Sequence, residues 1–438
     1  MAEESAAAPA LDLPQPEQEP SAAADTHPST TVKLDPAPSI QEPKLHHPPQ
    51  SLDSFREESN LIADLADSEK KALSELQQLV QQALESNQLD DEAREVSIWG
   101  IPLMKDDRTD VVLLKFLRAR DFKAADAFEM LKSAIKWRKE FKVDELVDED
   151  LGHDLDKVVF IHGFDREGHP VCYNVYGEFQ NQELYNRTFG DQEKRNAFIR
   201  WRIQFLERSI RKLDFRPGGV SSVFQVNDFY NMPGAAKRSH WLATKQAVQI
   251  MQDNYPEFVA KQVLINLPWW YLAYYTMLSP FMTQRTKSKF VFAGLPKTAE
   301  TLFKYISPEH VPVQYGGLSV DYCDCNPEFT LDDPVSDVNV KPGTKQIVEI
   351  IIYEKCTIVW ELRVPGWEVR YAAEFVPDAP DAYTVMVHKS RKLSPTDEPV
   401  VCESFKVTEL GKLLLIIDNP TQKKKKLLYR YKINPSNP

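Results

Sequence analysis

The side chains best suited to chemistry, histidine and cysteine, are scattered through this sequence of 438 residues. None of the five cysteines has CxxC spacing, which favours a reducing compartment and argues against zinc. Cys323 and Cys325 lie too close together for a zinc pair, and His162 and His169 flank a predicted turn that offers no further ligands. The GxSxG, GxxxxGKS/T, HExxH and GxGxxG motifs are missing. The sequence therefore predicts no enzyme, no catalytic residue, no metal and no cofactor.

A run of four lysines near the C-terminus is a candidate for binding an anionic surface. It consists of Lys423, Lys424, Lys425 and Lys426, between a predicted DNPTQ turn and the strand LLYRYKI. Lysines next to an anionic bilayer contribute about 1 kcal/mol each. The alternative is a solvated hairpin end, where charge discourages strands from pairing edge to edge. The sequence leaves both interpretations open.

The net charge of −12 is concentrated at one end of the chain. Residues 1–104 are strongly acidic, the middle of the chain is near neutral, and residues 336–438 are weakly basic. A nucleic-acid-binding domain is usually basic, so nucleic acid is not an expected partner. An anionic membrane surface remains compatible with the basic C-terminal part.

The stretch LPWWYLAYYTMLSPFM, residues 267–282, has only apolar, aromatic and weakly polar side chains. Its length falls short of the ~20 residues that a membrane-spanning helix needs, and Pro268 and Pro280 lie at its margins. An integral membrane protein is therefore not expected. Composition alone favours a helix buried beside a sheet.

The pattern along the chain predicts four parts. Residues 1–55 form a disordered, acidic leader rich in proline and alanine. Residues 60–145 contain apolar residues at helical spacing, and residues 146–320 alternate strands with helices, which indicates an α/β domain with a largely parallel sheet. Residues 325–435 contain evenly spaced short strands, typical of an all-β sandwich.

Several separated motifs then resemble known domains. FLRAR, WRKEF, NYPEF, INLPWW and TKSKFVF resemble the CRAL-TRIO domain and its N-terminal helical extension. TIVWELRVPGWEVRYAAEFVP and LIIDNPTQKKKKLLYRYKI resemble a GOLD β-sandwich. This order of domains behind an acidic leader is similar to that of the plant patellins. The resemblance implies an α/β CRAL-TRIO lipid-binding domain followed by an all-β GOLD domain.

The resemblance also implies a phosphoinositide headgroup site, formed by Arg120, Thr286, Lys289 and Glu257. A phosphodiester needs fixed donors, which a guanidinium, a hydroxyl and an ammonium supply. The strand SSVFQVND has Val223 and Gln225 where relatives that also bind phosphatidylcholine have serine and threonine. This difference favours a phosphoinositide sensor or presenter over a two-lipid exchanger.

By the same resemblance, the apolar stretch is a gate helix that covers the lipid when closed and meets the bilayer when open. Its membrane-contacting side chains would be Trp269, Trp270, Tyr271, Tyr274 and Tyr275.

The family resemblance implies a cytoplasmic, peripherally membrane-associated protein of membrane trafficking, including at the plasma membrane and the cell plate of dividing cells. Its partners would be phosphoinositides, anionic membranes and, through the GOLD domain, trafficking proteins. Two alternatives remain: a carrier of a neutral hydrophobic ligand in the same pocket, and a protein–protein adaptor with a vestigial pocket.

Overall fold

The structure is a computed structural model that describes residues 57–89, 96–104, 106–232, 238–267, 288–319, 328–394 and 396–435. The predicted leader, residues 1–55, lies outside the described residues, and so does the apolar stretch apart from Leu267. No described helix has the length and hydrophobicity needed to cross a membrane.

Four helices form the region before the α/β domain: α1 (Asp67–Glu85), α2 (Thr109–Ala119), α3 (Ala124–Phe141) and the single turn α4 (Val143–Leu146). The predicted apolar spacing places Leu73, Leu76 and Val80 of α1 in the core. Helix α2 ends where Asp121 and Phe122 take positive φ values of 49° and 58°, which reverse the chain into α3. Between α1 and α2, the short strands β1 (Ser97–Ile98) and β2 (Ile101–Pro102) pair antiparallel.

The α/β domain is built on a five-stranded sheet. Its strands are β3 (Val159–Phe164), β4 (Pro170–Val175), β5 (Val223–Asp228), β6 (Val259–Ile265) and β7 (Phe290–Ala293), and they lie in chain order across the sheet. The β3–β4 hairpin is antiparallel and the other neighbours are parallel, so β4, β5, β6 and β7 all begin at one edge.

Helices cover both faces of this sheet. On one face, α5 (Gln182–Phe189), α6 (Gln192–Ile210) and α7 (Arg238–Asn254) share a core with the preceding helical region. On the other face, α8 (Thr298–Tyr305) and the following segment share a core with alternate side chains of the strands. This arrangement explains why the strands are apolar along most of their length, since parallel strands are usually buried on both sides.

The C-terminal part is the predicted all-β sandwich. It contains β8 (Ser336–Val340), β9 (Thr344–Ile352), β10 (Cys356–Arg363), β11 (Arg370–Pro377), β12 (Val385–Lys392), β13 (Val401–Val407), β14 (Gly411–Asn419) and β15 (Lys425–Pro435). These strands form two antiparallel four-stranded sheets, in the orders β13-β10-β15-β8 and β12-β11-β14-β9. The apolar side chains between the sheets form one core, in which Trp360 donates to the Tyr371 hydroxyl at 2.9 Å.

The sandwich packs directly against the end of the α/β domain. Leu428 of β15 and Val400 lie in the same apolar core as α8 and the strands of the α/β sheet. Arg363, at the end of β10, donates through Nη1 to the carbonyls of Val313 and Gly317, each at 2.6 Å. Burial lowers the pKa of this guanidinium to about 10. The two domains therefore share a packed interface and are not joined by a linker alone.

Candidate functional site

Two of the predicted headgroup residues meet at the edge of the sheet where the parallel strands begin. Glu257 lies two residues before β6, with a positive φ of 55°, and Lys289 directly precedes β7. The Lys289 backbone carbonyl accepts from Gln262 N at 2.8 Å, which fixes where the lysine emerges. The side chains then form an ion pair, with Lys289 Nζ 2.7 Å from Glu257 Oε2. The carboxylate therefore holds the ammonium at this edge.

A third charged residue, Lys115 of α2, lies buried beside this pair. It is only 2% exposed, and its Nζ donates to the Glu257 carbonyl at 2.8 Å. The ammonium also lies 4.3 Å from the centre of the Phe258 ring. Burial lowers the pKa of Lys115 to about 7, although the nearby carboxylates of Glu57 and Glu257 act to raise it. Lys115 thus joins the helical region to the strand edge that carries Lys289.

The same edge contains a histidine held between two carboxylates. His169 Nδ1 lies 2.9 Å from Asp165 Oδ2, and Nε2 lies 2.8 Å from Glu57 Oε2. Burial alone would lower the pKa of His169, but the bonds to Asp165 and Glu57 raise it to about 10. Burial acts to raise the pKa of Glu57, whereas its bond to His169 and the nearby Lys115 lower it to about 2. At neutral pH the cluster is therefore an imidazolium between two carboxylates.

This cluster has the composition of a metal site but not its chemistry. The possible ligand atoms of Asp165, Glu167 and His169 lie within 4.8 Å of one another, so the turn does offer two carboxylates beside His169, contrary to the expectation that it offers no further ligands. Both ring nitrogens of His169 already contact carboxylates, and a metal ligand must be a neutral imidazole with a free lone pair. The residues present do not fit a metal ion.

A cavity of about 210 Å³ lies next to the cluster. Three cations line it, Arg166, Lys261 and Lys304, and the Lys261 ammonium lies 4.5 Å from the centre of the Tyr305 ring. The remaining lining residues are Glu57, Asp165, Glu167, Phe224, Ala260 and Tyr305. Its volume is far above the ~10–15 Å³ that one water needs, so a small polar group fits.

The other predicted headgroup residues are placed differently. Arg120 follows the last residue of α2, is exposed, and donates to the Ala119 carbonyl at 3.0 Å rather than to Glu257. Its neighbour in the motif, Arg118, is 8% exposed, with its Nε 3.0 Å from Glu58 Oε2. Thr286 lies outside the described residues. The structure therefore brings together Lys289 and Glu257 but not Arg120.

The predicted gate-helix residues all lie outside the part of the chain that the structure describes. They are Trp269, Trp270, Tyr271, Tyr274 and Tyr275. At the preceding end, the Asn266 amide donates to Asp228 Oδ1 at 2.7 Å, and at the following end Lys289 is paired with Glu257. The described residues on either side of the predicted gate, Asn266 and Lys289, thus have partners at the sheet.

The lysine run is divided by its strand. Lys423 and Lys424 are exposed, whereas Lys425 begins β15 with its side chain inward. Lys425 Nζ donates to the Gly366 carbonyl at 3.0 Å, and Lys426 forms an ion pair with Asp337. Only the first two lysines are therefore presented as a surface pair.

Sequence reasoning missed the three residues that complete the charged edge, Glu57, Lys115 and His169. Glu57 lies outside any motif, and it meets His169 across 112 residues of chain. Lys115 stands directly before the FLRAR motif and has the ordinary appearance of a solvated helix lysine. The sequence feature that could have identified Lys115 is the apolar run VVLLKFL around it, which indicates a helix buried on almost every side.

Comparison with known proteins supplies the family. Residues 72–133 match the CRAL/TRIO N-terminal domain, residues 155–317 the CRAL/TRIO domain, and residues 341–425 the Patellin-1-like C-terminal GOLD domain. These matches confirm the predicted fold class.

Two relatives are from Arabidopsis thaliana. The chain is 67% identical to Patellin-3 over 90% of its own length and 81% of that protein, and 61% identical to Patellin-5 over 90% and 58%. It is 29% identical to the Phosphatidylinositol transfer protein SFH5 of Meyerozyma guilliermondii, over 45% of this chain and 62% of that protein.

Proposed function

Because the chain belongs to the patellin family, we propose that it is a non-enzymatic, peripheral phosphoinositide-binding protein of membrane trafficking. The observation that carries the proposal is the Lys289–Glu257 pair, which fixes a cation at the strand edge beside the buried Lys115. The name of the 29% identical relative, a phosphatidylinositol transfer protein, supports the same class of ligand.

The chemistry of the edge suits a phosphodiester. Ammonium and guanidinium groups form charge-assisted bonds with phosphate that are about twice as strong as neutral ones. Arg120, exposed at the end of α2, supplies a guanidinium that a headgroup can recruit, and Thr286 would add a hydroxyl. A neutral hydrophobic ligand would make no use of these cations, which favours a phosphoinositide over that alternative.

The lipid's chains would occupy the domain behind the predicted gate helix, whose aromatic side chains suit the headgroup level of a bilayer. The exposed Lys423 and Lys424 would add attraction to anionic lipids. We further propose that the protein acts at the cytoplasmic face of membranes, including the plasma membrane and the cell plate. The GOLD domain would recruit trafficking partners there.

The test is sedimentation with phosphatidylcholine vesicles that contain a few mole per cent of phosphatidylinositol or of its phosphorylated forms. Lys289→Ala combined with Arg120→Ala should weaken binding by about 10- to 100-fold, since a bond to a charged group contributes ~1.5–3 kcal/mol. The matched control is Lys136→Ala combined with Arg187→Ala, which removes the same charges from exposed helix positions.

Equal binding by the site variant and its control would refute the headgroup site. If the wild type binds no vesicle of any composition, the adaptor alternative is favoured instead. Mass spectrometry of lipid extracted from the purified protein tests the remaining alternative, a carrier of a neutral hydrophobic ligand. A neutral hydrophobe in the extract, without any phosphoinositide, would favour that alternative.

A further inference from the structure

The segment that leads into the helical region, residues 57–61, lies across the charged edge and is here called the strap. Glu57 bonds to His169 at 2.8 Å, and Glu58 pairs with Arg118 at 3.0 Å. The Ser59 carbonyl accepts from Arg118 Nη2 at 2.5 Å. Three consecutive residues of the strap therefore contact cations through two carboxylates and a carbonyl. One of these cations belongs to the α/β domain and the other to α2.

Lys115 and His169, two of the cations under the strap, also have partners outside it, whereas Arg118 contacts the strap through Glu58 and Ser59. Lys115 is held by the Glu257 carbonyl and the Phe258 ring, and His169 is held by Asp165. Glu57 lies among these fixed cations and also forms part of the wall of the 210 Å³ cavity. The cations therefore form an anion-binding site, and the anion that occupies it is the Glu57 carboxylate of the same chain.

The strap is buried at Asn60, whereas its two carboxylates are partly exposed. At Asn60, which is 9% exposed, the amide donates to the Gly219 carbonyl at 3.0 Å and accepts from Gly218 N at 2.5 Å. The Glu58 side chain is 44% exposed and that of Glu57 is 31% exposed. A ligand can therefore reach the two carboxylates, and an anion that takes their place leaves the buried His169 and Arg118 paired while Asn60 stays bound.

We propose that the strap is an autoinhibitory contact, in which Glu57 and Glu58 occupy a site for a phosphomonoester on the inositol ring of a polyphosphoinositide. This inference rests on the proposed function, because the lipid would be the one bound at Lys289. Its ring phosphate would displace the two carboxylates and meet His169, Arg118 and Lys115. The cavity cations Arg166, Lys261 and Lys304 would then lie beside the headgroup.

The charge of the competing group explains why a monoester is required. A tethered carboxylate acts at an effective concentration in the millimolar range, so a phosphodiester with the same single charge gains little by replacing it. A phosphomonoester carries about −1.5 to −2 charges and three acceptor oxygens. Its charge is therefore close to that of the two strap carboxylates together, whereas a phosphodiester matches only one of them. The strap would select phosphorylated inositides over phosphatidylinositol.

The experiment compares the full chain with a Glu57→Gln/Glu58→Gln variant on vesicles that contain either phosphatidylinositol bisphosphate or phosphatidylinositol. The side-chain amides keep the size of the carboxylates but remove their charge. The control is Glu75→Gln/Glu129→Gln, which removes two charges from exposed positions on α1 and α3. We expect the strap variant to bind the bisphosphate about 10-fold or more tightly than the control does, with a smaller gain for phosphatidylinositol.

Equal affinities for the strap variant and its control would overturn the proposal. Hydrogen exchange gives a second measurement on the wild type, with a short-chain phosphatidylinositol bisphosphate as the probe. The amides of residues 57–59 should exchange faster when the probe is bound, and unchanged or slower exchange contradicts displacement. Lys289→Ala separates the two proposals. If it weakens binding while the strap variant matches its control, only the strap is refuted; if it has no effect, the headgroup site itself is refuted.

Discussion

Lys115 and His169 lie near the same carboxylate, Glu57, and their pKa values are shifted in opposite directions. The His169 pKa is raised from 6.5 to about 10, so its stabilising contribution is fully present below pH 6.5 and is lost as the pH rises through 10. The Lys115 pKa is lowered from 10.5 to about 7, so folding is penalised below pH 7 and the penalty is relieved as the pH rises toward 10.5.

These two effects oppose each other over the interval from pH 7 to pH 10. A single proton changes the free energy of unfolding by at most about 1.4 kcal/mol per pH unit, negative in sign for His169 and positive for Lys115. The cluster as a whole should therefore add almost no pH dependence to the wild type. Removing one partner should reveal the slope of the other.

We expect His169→Gln to become more stable relative to wild type as the pH rises from 7 to 10, because Lys115 then titrates uncompensated. Lys115→Met should become less stable relative to wild type over the same interval. The difference in unfolding free energy between the two variants should change by about 1–3 kcal/mol per pH unit. Urea unfolding followed by circular dichroism at several pH values measures it.

Comparing variants removes the titrations that all three proteins share, such as those of exposed tyrosines and cysteines. A further control is Lys136→Met, which removes an exposed lysine from α3 and should reproduce the wild-type slope. If the unfolding free energies of wild type, His169→Gln and Lys115→Met depend on pH in the same way, His169 and Lys115 do not have the shifted pKa values on which the prediction rests.

Three further predictions concern charges that the structure assigns to the interior and to the surface. Arg138→Met should lower the unfolding free energy by about 3–5 kcal/mol, since it leaves Glu207 buried without its 2.5 Å partner. The double variant Arg138→Met/Glu207→Leu should recover much of that loss in urea titrations. If it recovers none, the loss does not come from the unpaired Glu207 carboxylate. Lys425→Met should destabilise the GOLD domain by about 1–3 kcal/mol, because the bond between the buried Lys425 ammonium and the Gly366 carbonyl is lost, and it should cause no specific loss of vesicle binding. Lys423→Ala/Lys424→Ala should lower vesicle binding in a salt-dependent way and leave stability unchanged. If this variant and Lys425→Met have equal effects on both binding and stability, the distinction between surface and buried lysines is refuted.

Periodicity was sufficient to predict the elements, because each element buries a face that its own residues define. The helical spacing of apolar residues within 60–145 predicted the helical region, in which Leu73, Leu76 and Val80 form the inner face of α1. The alternation of strands with helices predicted the parallel sheet. These are local properties, and neighbouring residues in the sequence determine them.

The headgroup residues came from the family resemblance, and their partners depend on packing that no local pattern reports. Lys115 is buried because α2 is covered on nearly every side. The helical period therefore cannot show whether a polar residue of α2 faces solvent. Lys425 differs from Lys424 only by its position at the start of β15, where the alternation of the strand turns one side chain inward and leaves the other exposed. Clustering in sequence therefore overstated the surface charge.

Long-range contacts made by buried or half-buried cations occur at several places where separate elements meet, including the binding edge. Arg138 of α3 meets Glu207 of α6, Arg363 of β10 meets the carbonyls of the segment after α8, and Lys115 of α2 meets the carbonyl of Glu257. Leaving any of these groups without its partner costs more than an ordinary surface contact provides, so each one disfavours alternative dockings of the elements it joins. The geometry at Lys289 is then set by the strand edge and by the helix that carries Lys115, and the strap adds the Glu57 carboxylate near Lys115. A change at Glu57 should therefore alter ligand binding while the sheet itself remains intact.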